Sequence, residues 1–383
     1  MTNLKQYFSM LWQKEELLST IKHSPYLFSI YDNWTSKQQE EFINFCTGVR
    51  GIKLLYDSFF KEIMNPESTP ERLNDFLSLL LNQTVQILSV LPNDSTRIAD
   101  ENSLLVTDIV VKLEDGSLAN IEIQKIGYGF PGQRSACYSS DLLLRQYKRV
   151  RSEKNRNNQK FSYKDIKDVY TIVLYEKSPT EFKNQPNTYL HYFEQKSDTG
   201  IKLPLLQKFL FIPLDIFLEN QHNKDISNRL DAWLLFFASD DPNDIIRLIG
   251  EYPEFQAMYE QAYQICQNVE DVMGLFSEEL KILDRNTVLY MIDEMQNVLD
   301  EHKATIIEQL NALDEHKVTI AEQQNALDEH KVTIAEQQNA LDEHKVTIAE
   351  QQNALDEKQA TIDEQNVIID ELRKQINALK QNS

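Results

Sequence analysis

Cysteine is scarce in this sequence. Three residues in 383, Cys46, Cys137 and Cys266, stand far apart with no Cys-x-x-Cys among them. That spacing argues against a disulfide framework and a zinc knuckle, and it makes free thiols in a reducing compartment the expectation. Glycine is sparse too, at nine residues, and no Gly-rich phosphate loop is formed from them. Long apolar runs are missing. No segment approaches the ~20 apolar residues of a membrane span, and Lys5, Lys14, Glu15 and Glu16 interrupt the short apolar pieces near the start, unlike a signal peptide. A cytoplasmic protein without a membrane partner is expected. No Ser-His-Asp or Cys-His grouping stands out, and four of the seven histidines (His302, His316, His330, His344) belong to repeats in the tail.

Positive charge is also in deficit. Sixty acidic residues against 39 basic ones give a net charge of −21, which speaks against nucleic acid, because neutralising phosphate is the main source of that affinity. The excess is unevenly placed. Residues 297–383 hold 18 acidic and 8 basic residues, whereas Arg145 to Lys167 holds nine basic and two acidic ones. Within that cluster Lys148, Arg149, Arg151 and Arg156 are candidates for a nucleic-acid backbone patch, with a solvated charged loop as the other reading.

The chain is long enough for two or three domains and 41% of it is hydrophobic, so a sizeable core needs no staples. Residues 1–50 read as a helical lead-in, in which Tyr7, Phe8, Leu11, Trp12, Leu17 and Leu18 fit one helix and Phe28 to Trp34 is hard to place. The spacing of Leu54, Leu55, Phe59, Phe60 and Met64 predicts a helix ending before Pro66. A second helix starts at Pro70, where a missing N–H is harmless. Strands follow at Val85 to Leu91 and on either side of Asp115-Gly116, then a helix from about Gln133 to Val150, a polar loop from Arg151 to Asn158, and a strand at Asp168 to Tyr175. On the helix, Arg134, Tyr138, Asp141 and Arg145 form one polar stripe. Phe209 to Leu218, containing Pro213, is expected as an edge strand or a strand end. After Asn223 the pattern is helical, with Asp241 and Asp244 as caps beside Pro242. The order of elements is that of an α/β fold around a mixed sheet, with domains at 1–50, 51–222, 223–287 and 288–383.

The tail is a tandem repeat. Fourteen residues, Asn311 to Gln324, recur unchanged at 325–338 and 339–352, with diverged copies at 297–310 and 353–366. Two heptads make one repeat. Leu299, Ile306, Leu313 and every seventh residue through Ile376 occupy position a, while d is His or Gln through the middle and turns apolar at Val288, Met295, Leu372 and Leu379. A marginal coiled coil over 288–379, a parallel dimer or trimer pinned at its ends, is one expectation; a single solvated helix is the other.

Asp108 to Gln124 carries the chemistry. It reads as two β-branched runs joined by Asp115-Gly116, a hairpin signal, and alternation puts Glu122 and Gln124 on one strand face with Ile121 and Ile123 on the other. Asp108, near the far end of the partner strand, brings a second carboxylate toward them. Asp followed by Glu-x-Gln on adjacent strands resembles the active-site hairpin of the PD-(D/E)XK nucleases. Asp57 to Lys61, Pro70 to Leu77, Asn120 to Gln124, Arg134 to Tyr138, Gln146, Thr171 to Tyr175 and Leu283 to Gln296 resemble, in order, the transposase or recombination-promoting branch of that family, so the likeness covers about residues 45–296.

That resemblance implies a restriction-endonuclease-like core, a mixed sheet flanked by helices, followed by a helical subdomain and the long tail. It implies that Asp108, Glu122 and the Ile123 carbonyl hold Mg²⁺ or Mn²⁺, that Gln124 orients a water where most of the family has Lys, and that Arg134 and Tyr138 support the site or a phosphate. The branch shares Gln at this position, and Lys125 alternates to the opposite face. It implies a DNA endonuclease of mobile-element type. The alternative from a different class is a catalytically weak or inactive nuclease fold serving as a DNA-binding or assembly head on a coiled-coil stalk.

Overall fold

The computed structural model describes residues 4–91, 109–127, 131–221 and 224–381, and it divides into two units, residues 1–296 and 297–383. The first unit opens with helices α1 (Lys14–His23), α2 (Pro25–Asp32) and α3 (Ser36–Thr47). Local sequence sets their ends. Ser24 caps α2 by accepting from Leu27 N–H, Thr35 and Gln38 form a capping box on α3, and Gly48 stops α3 in the left-handed region at φ 72°. Phe28 to Trp34 thus lies largely on a short helix. Tyr7 to Leu18 does not form one helix, because a 3₁₀ turn at Leu4–Gln6 and an irregular link precede α1; Phe8, Leu11 and Leu17 still reach the core.

Helices α4 (Asp57–Ile63) and α5 (Pro70–Leu81) follow, the second beginning at Pro70 and ending at left-handed Asn82. Among the described residues six strands make one sheet: β1 (Ile87–Val90), β2 (Ile109–Leu113), β3 (Leu118–Gln124), β4 (Val169–Tyr175), β5 (His191–Phe193) and β6 (Gln207–Pro213), in the order β1-β2-β3-β4-β6-β5. β1 to β3 are antiparallel neighbours, and β3, β4 and β6 are parallel. Parallel neighbours need a crossover, and α6 (Pro131–Arg156) provides it between β3 and β4. β6 therefore lies inside the sheet, between β4 and β5, and Pro213 is tolerated as its last residue before α8 (Leu214–Gln221). Between β4 and β5 stands the short α7 (Thr180–Lys183).

One face of the sheet is the main core. Val111, Ala119, Ile121, Ile172, Leu174, Leu210 and Ile212 pack there with the helices on both sides in sequence, including α9 (Arg229–Ala238), α10 (Pro242–Glu251), α11 (Glu254–Ile265) and the start of α12 (Val269–Gln381). Aromatic residues fill it. Trp233 meets Phe255 edge-on at 4.9 Å and Phe276 meets Trp34 at 5.0 Å, each pair linking segments far apart in sequence. Asp241 caps α10, while Asp244 accepts from Ser239 and pairs with Arg247 instead. The opposite face lies under α6, where Val110, Leu118 and Val169 pack on Leu142. Helix α6 runs through Arg156, so Arg151 to Arg156, expected as loop, is helical; Lys154, 3.5 Å from Asp165, ties this exposed end to the segment behind it.

All three cysteines are unpaired, yet Cys46 and Cys266 meet in the core, where burial pushes the Cys46 thiol well up. No described helix is long and apolar enough to cross a membrane. In the second unit the described chain is helical throughout, and its a positions are exposed, Leu313 at 52% and Ile320 at 64%. Each of the three identical repeats makes the same Asp-to-Lys pair three residues apart, at Asp314–Lys317, Asp328–Lys331 and Asp342–Lys345. Such exposed pairs contribute about 0.3–0.5 kcal/mol each to helix formation.

Candidate active site

The hairpin is fixed at its turn. Gly116 sits at φ 88°, where a side chain would be strained, and the Asp115 carboxylate accepts from both the N–H and the hydroxyl of Ser117 at 2.8 Å. From this turn the pleat runs as expected, Ile121 into the main core and Asn120, Glu122 and Gln124 beneath α6. Ile109 pairs with Ile121 at the end of the described β2 ladder; Asp108 lies outside the described residues.

Glu122 is 5% exposed. Gln124 Nε2 donates to Glu122 Oε1 at 3.1 Å, while Glu122 Oε2 and Gln124 Oε1 are buried with no hydrogen-bond partner among the described residues. Burial pushes the Glu122 carboxyl up to about 7; the Gln124 bond, the Arg134 guanidinium and, least, the nearby Tyr138 hydroxyl pull it part of the way back. Idle acceptor oxygens on two hydrogen-bonded, buried side chains are a poor place for an unaccompanied carboxylate and a good one for a proton or a hard cation. The ligand atoms therefore fit a divalent ion held by few protein oxygens, although among the described residues no group of three or more His, Cys, Asp or Glu is placed to hold a metal ion.

Helix α6 brings the second layer. Arg134 Nη2 donates to the Tyr138 hydroxyl at 3.2 Å, one turn apart, and both act on Glu122; further along the stripe, Arg145 pairs with Asp141 at 2.7 Å. Lys125 turns to the other side of the sheet, where it pairs with Glu279 of α12 and lies 4.7 Å from the centre of the Tyr56 ring. Glu279 also accepts from Asp57 N–H at 2.9 Å, at the start of α4, and Lys61 pairs with Asp57 there. Of the backbone candidates, Lys148, Arg151 and Arg156 are exposed and Arg149 is half-buried, all on α6.

Sequence reasoning passed over a polar layer around Glu122. Tyr175 is level with Gln124 in the parallel register and Thr171 with Asn120; Ser135 and Ser139 of α6 are fully buried above the same sheet face. The side chains of Asn120, Thr171, Ser135 and Ser139 and the Tyr175 hydroxyl have no hydrogen-bond partner among the described residues, a concentration that native interiors satisfy with water or ligand. The signal was present: Asn-x-Glu-x-Gln on a strand and Ser-x-x-x-Ser on a helix each put polar groups on one face.

The model of the PD-(D/E)XK nuclease family transposases matches residues 54–292, more than half of the chain. The chain belongs to that family. No curated protein and no solved structure matches it. The family's span begins just ahead of α4 and ends inside α12, so it takes in the hairpin, α6 and the Lys125–Glu279 pair, and leaves out α1 to α3 and the tandem repeats. A six-stranded mixed sheet flanked by helices is the PD-(D/E)XK nuclease-like fold, and nuclease or transposase chemistry is the family's type.

Proposed function

We propose that this PD-(D/E)XK family member is a metal-dependent DNA endonuclease of mobile-element type that hydrolyses phosphodiesters with water. The observation that carries the proposal is Glu122: a buried carboxyl raised to about 7 and hydrogen-bonded to Gln124, each side chain keeping one oxygen without a partner among the described residues. Glu122, the Ile123 carbonyl and Asp108, the residue before Ile109, would hold Mg²⁺ or Mn²⁺. The bound ion would lower the pKa of a water and offset charge on the scissile phosphate. Gln124 orients the attacking water through its amide but brings no charge. That leaves Arg134, steadied by Tyr138, to meet the negative charge that grows on phosphate. Lys148, Arg149, Arg151 and Arg156 hold the DNA backbone, and the protein works in the cytoplasm.

The exposed apolar seam of the tail favours a second element of the reading: residues 288–379 join copies of this chain into a homo-oligomer. The nuclease proposal is tested with supercoiled plasmid, purified protein and Mg²⁺ or Mn²⁺. Nicking that needs the metal and is lost in Asp108→Ala is expected; nicking that survives chelation, or the Ala variant, would move the chemistry elsewhere.

A further inference from the structure

We infer that the groove between α6 and the segment following it binds unpaired DNA, with bases stacked on Tyr147 and Tyr163; this rests on the nuclease reading above. The two rings are nearly parallel, at 11° with centroids 6.2 Å apart, and Phe161 stands edge-on to both at 5.5 and 5.4 Å. Tyr163 is 78% exposed. Burial therefore does not explain its place, and a merely solvated charged loop has no use for three clustered aromatic rings.

The two tyrosines border a groove of about 790 Å³ with an apolar floor that includes Leu143 and Leu206, and Lys164 and Lys167 stand at its edge. Arg151 donates to the Tyr147 hydroxyl at 2.7 Å and lies over its ring. Aromatic faces for bases beside cations for phosphates are the two requirements of single-strand binding. The location stands out in a chain of net charge −21. Of the acids close by, Asp115 is engaged by Ser117 and Asp165 by Lys154 and the Ser162 N–H, leaving Asp168 at the rim. The platform is also rigid: Lys167 N–H donates to Gln146 Oε1 of α6 at 2.8 Å, and Ser162 and Asp165 cap the turn that carries Tyr163. Along α6, Tyr147 lies about 20 Å from Arg134, the rise of thirteen residues and of about six nucleotides in one strand of B-DNA. A strand frayed or displaced beyond the cut fits this spacing better than an intact duplex, whose stacked bases offer no faces.

The test is fluorescence anisotropy on full-length protein in chelator, with a labelled oligo(dT) and a blunt duplex. Tyr163→Ala should weaken oligo(dT) binding about fivefold or more with little change for duplex, and Tyr163→Phe should restore it. Lys164→Ala with Lys167→Ala should shallow the salt dependence for oligo(dT) by about 0.7 per residue. Melting curves confirm that these exposed substitutions leave the fold intact. Unchanged oligo(dT) binding by Tyr163→Ala, or equal loss for both DNAs, overturns the inference, and it does so alone if the wild type still nicks plasmid. A wild type that binds neither DNA and nicks nothing overturns the nuclease reading with it.

Discussion

Burial raises the Glu122 carboxyl, and a proton or a cation relieves the cost of its charge. Its folded-state carboxyl titrates near 7 against an ordinary value of 4.5, so the folded chain keeps a proton that the unfolded chain has given up. The stability from this group is complete below about 4.5 and is lost as pH rises through 7. Metal-free protein should therefore be about 2.5 kcal/mol less stable at pH 8 than at pH 5 on this account alone. Urea titrations in chelator measure it, and Glu122→Gln should flatten the profile; parallel profiles for the two proteins would contradict the burial argument. The same residue shows what was legible in the sequence. Period-two alternation was enough to put Glu122 and Gln124 together on one face, but not to show how deeply they are buried, because alternation says nothing of how α6 folds back over that face.

At the scale of elements, β3 is anchored at both ends, by the Gly116 turn and by the buried Lys125–Glu279 pair that joins it to α12. Breaking that pair leaves one charge stranded, so Glu279→Ala should cost about 3–5 kcal/mol in chemical denaturation, whereas Lys125→Met combined with Glu279→Leu should recover most of it. A Glu279→Ala variant of wild-type stability would mean that the pair does not hold β3. Sequence gave no sign of the pair, since Lys125 and Glu279 are 154 positions apart and neither lies in a motif. Local signals were legible elsewhere: Pro70 marked the start of α5, and Asp115-Gly116 marked the hairpin. The last turns of α6 were missed because Arg151 to Arg156 offers no apolar position from which to read a period, and β5 was missed because three residues are too few to show alternation.

At the scale of the whole chain, the family's span and the tandem repeats fall on separate parts of the sequence. Removing residues 297–383 should leave a folded nuclease unit with its far-ultraviolet signal per helical residue unchanged, while light scattering should find the full-length protein larger than a monomer and the truncated one smaller in state. Equal, monomeric masses would leave a solitary helix. The heptad frame was plain in sequence because exact repetition needs no tertiary knowledge; what the frame joins to was not, because apolar a positions with polar d positions fit both a weak coiled coil and a solvated helix. The most direct measurement of the account is nicking of supercoiled plasmid by full-length wild type and Glu122→Gln, side by side in Mg²⁺ at pH 8. The account predicts nicking by the wild type alone, with the variant folded and at least as stable; equal nicking by both would contradict it.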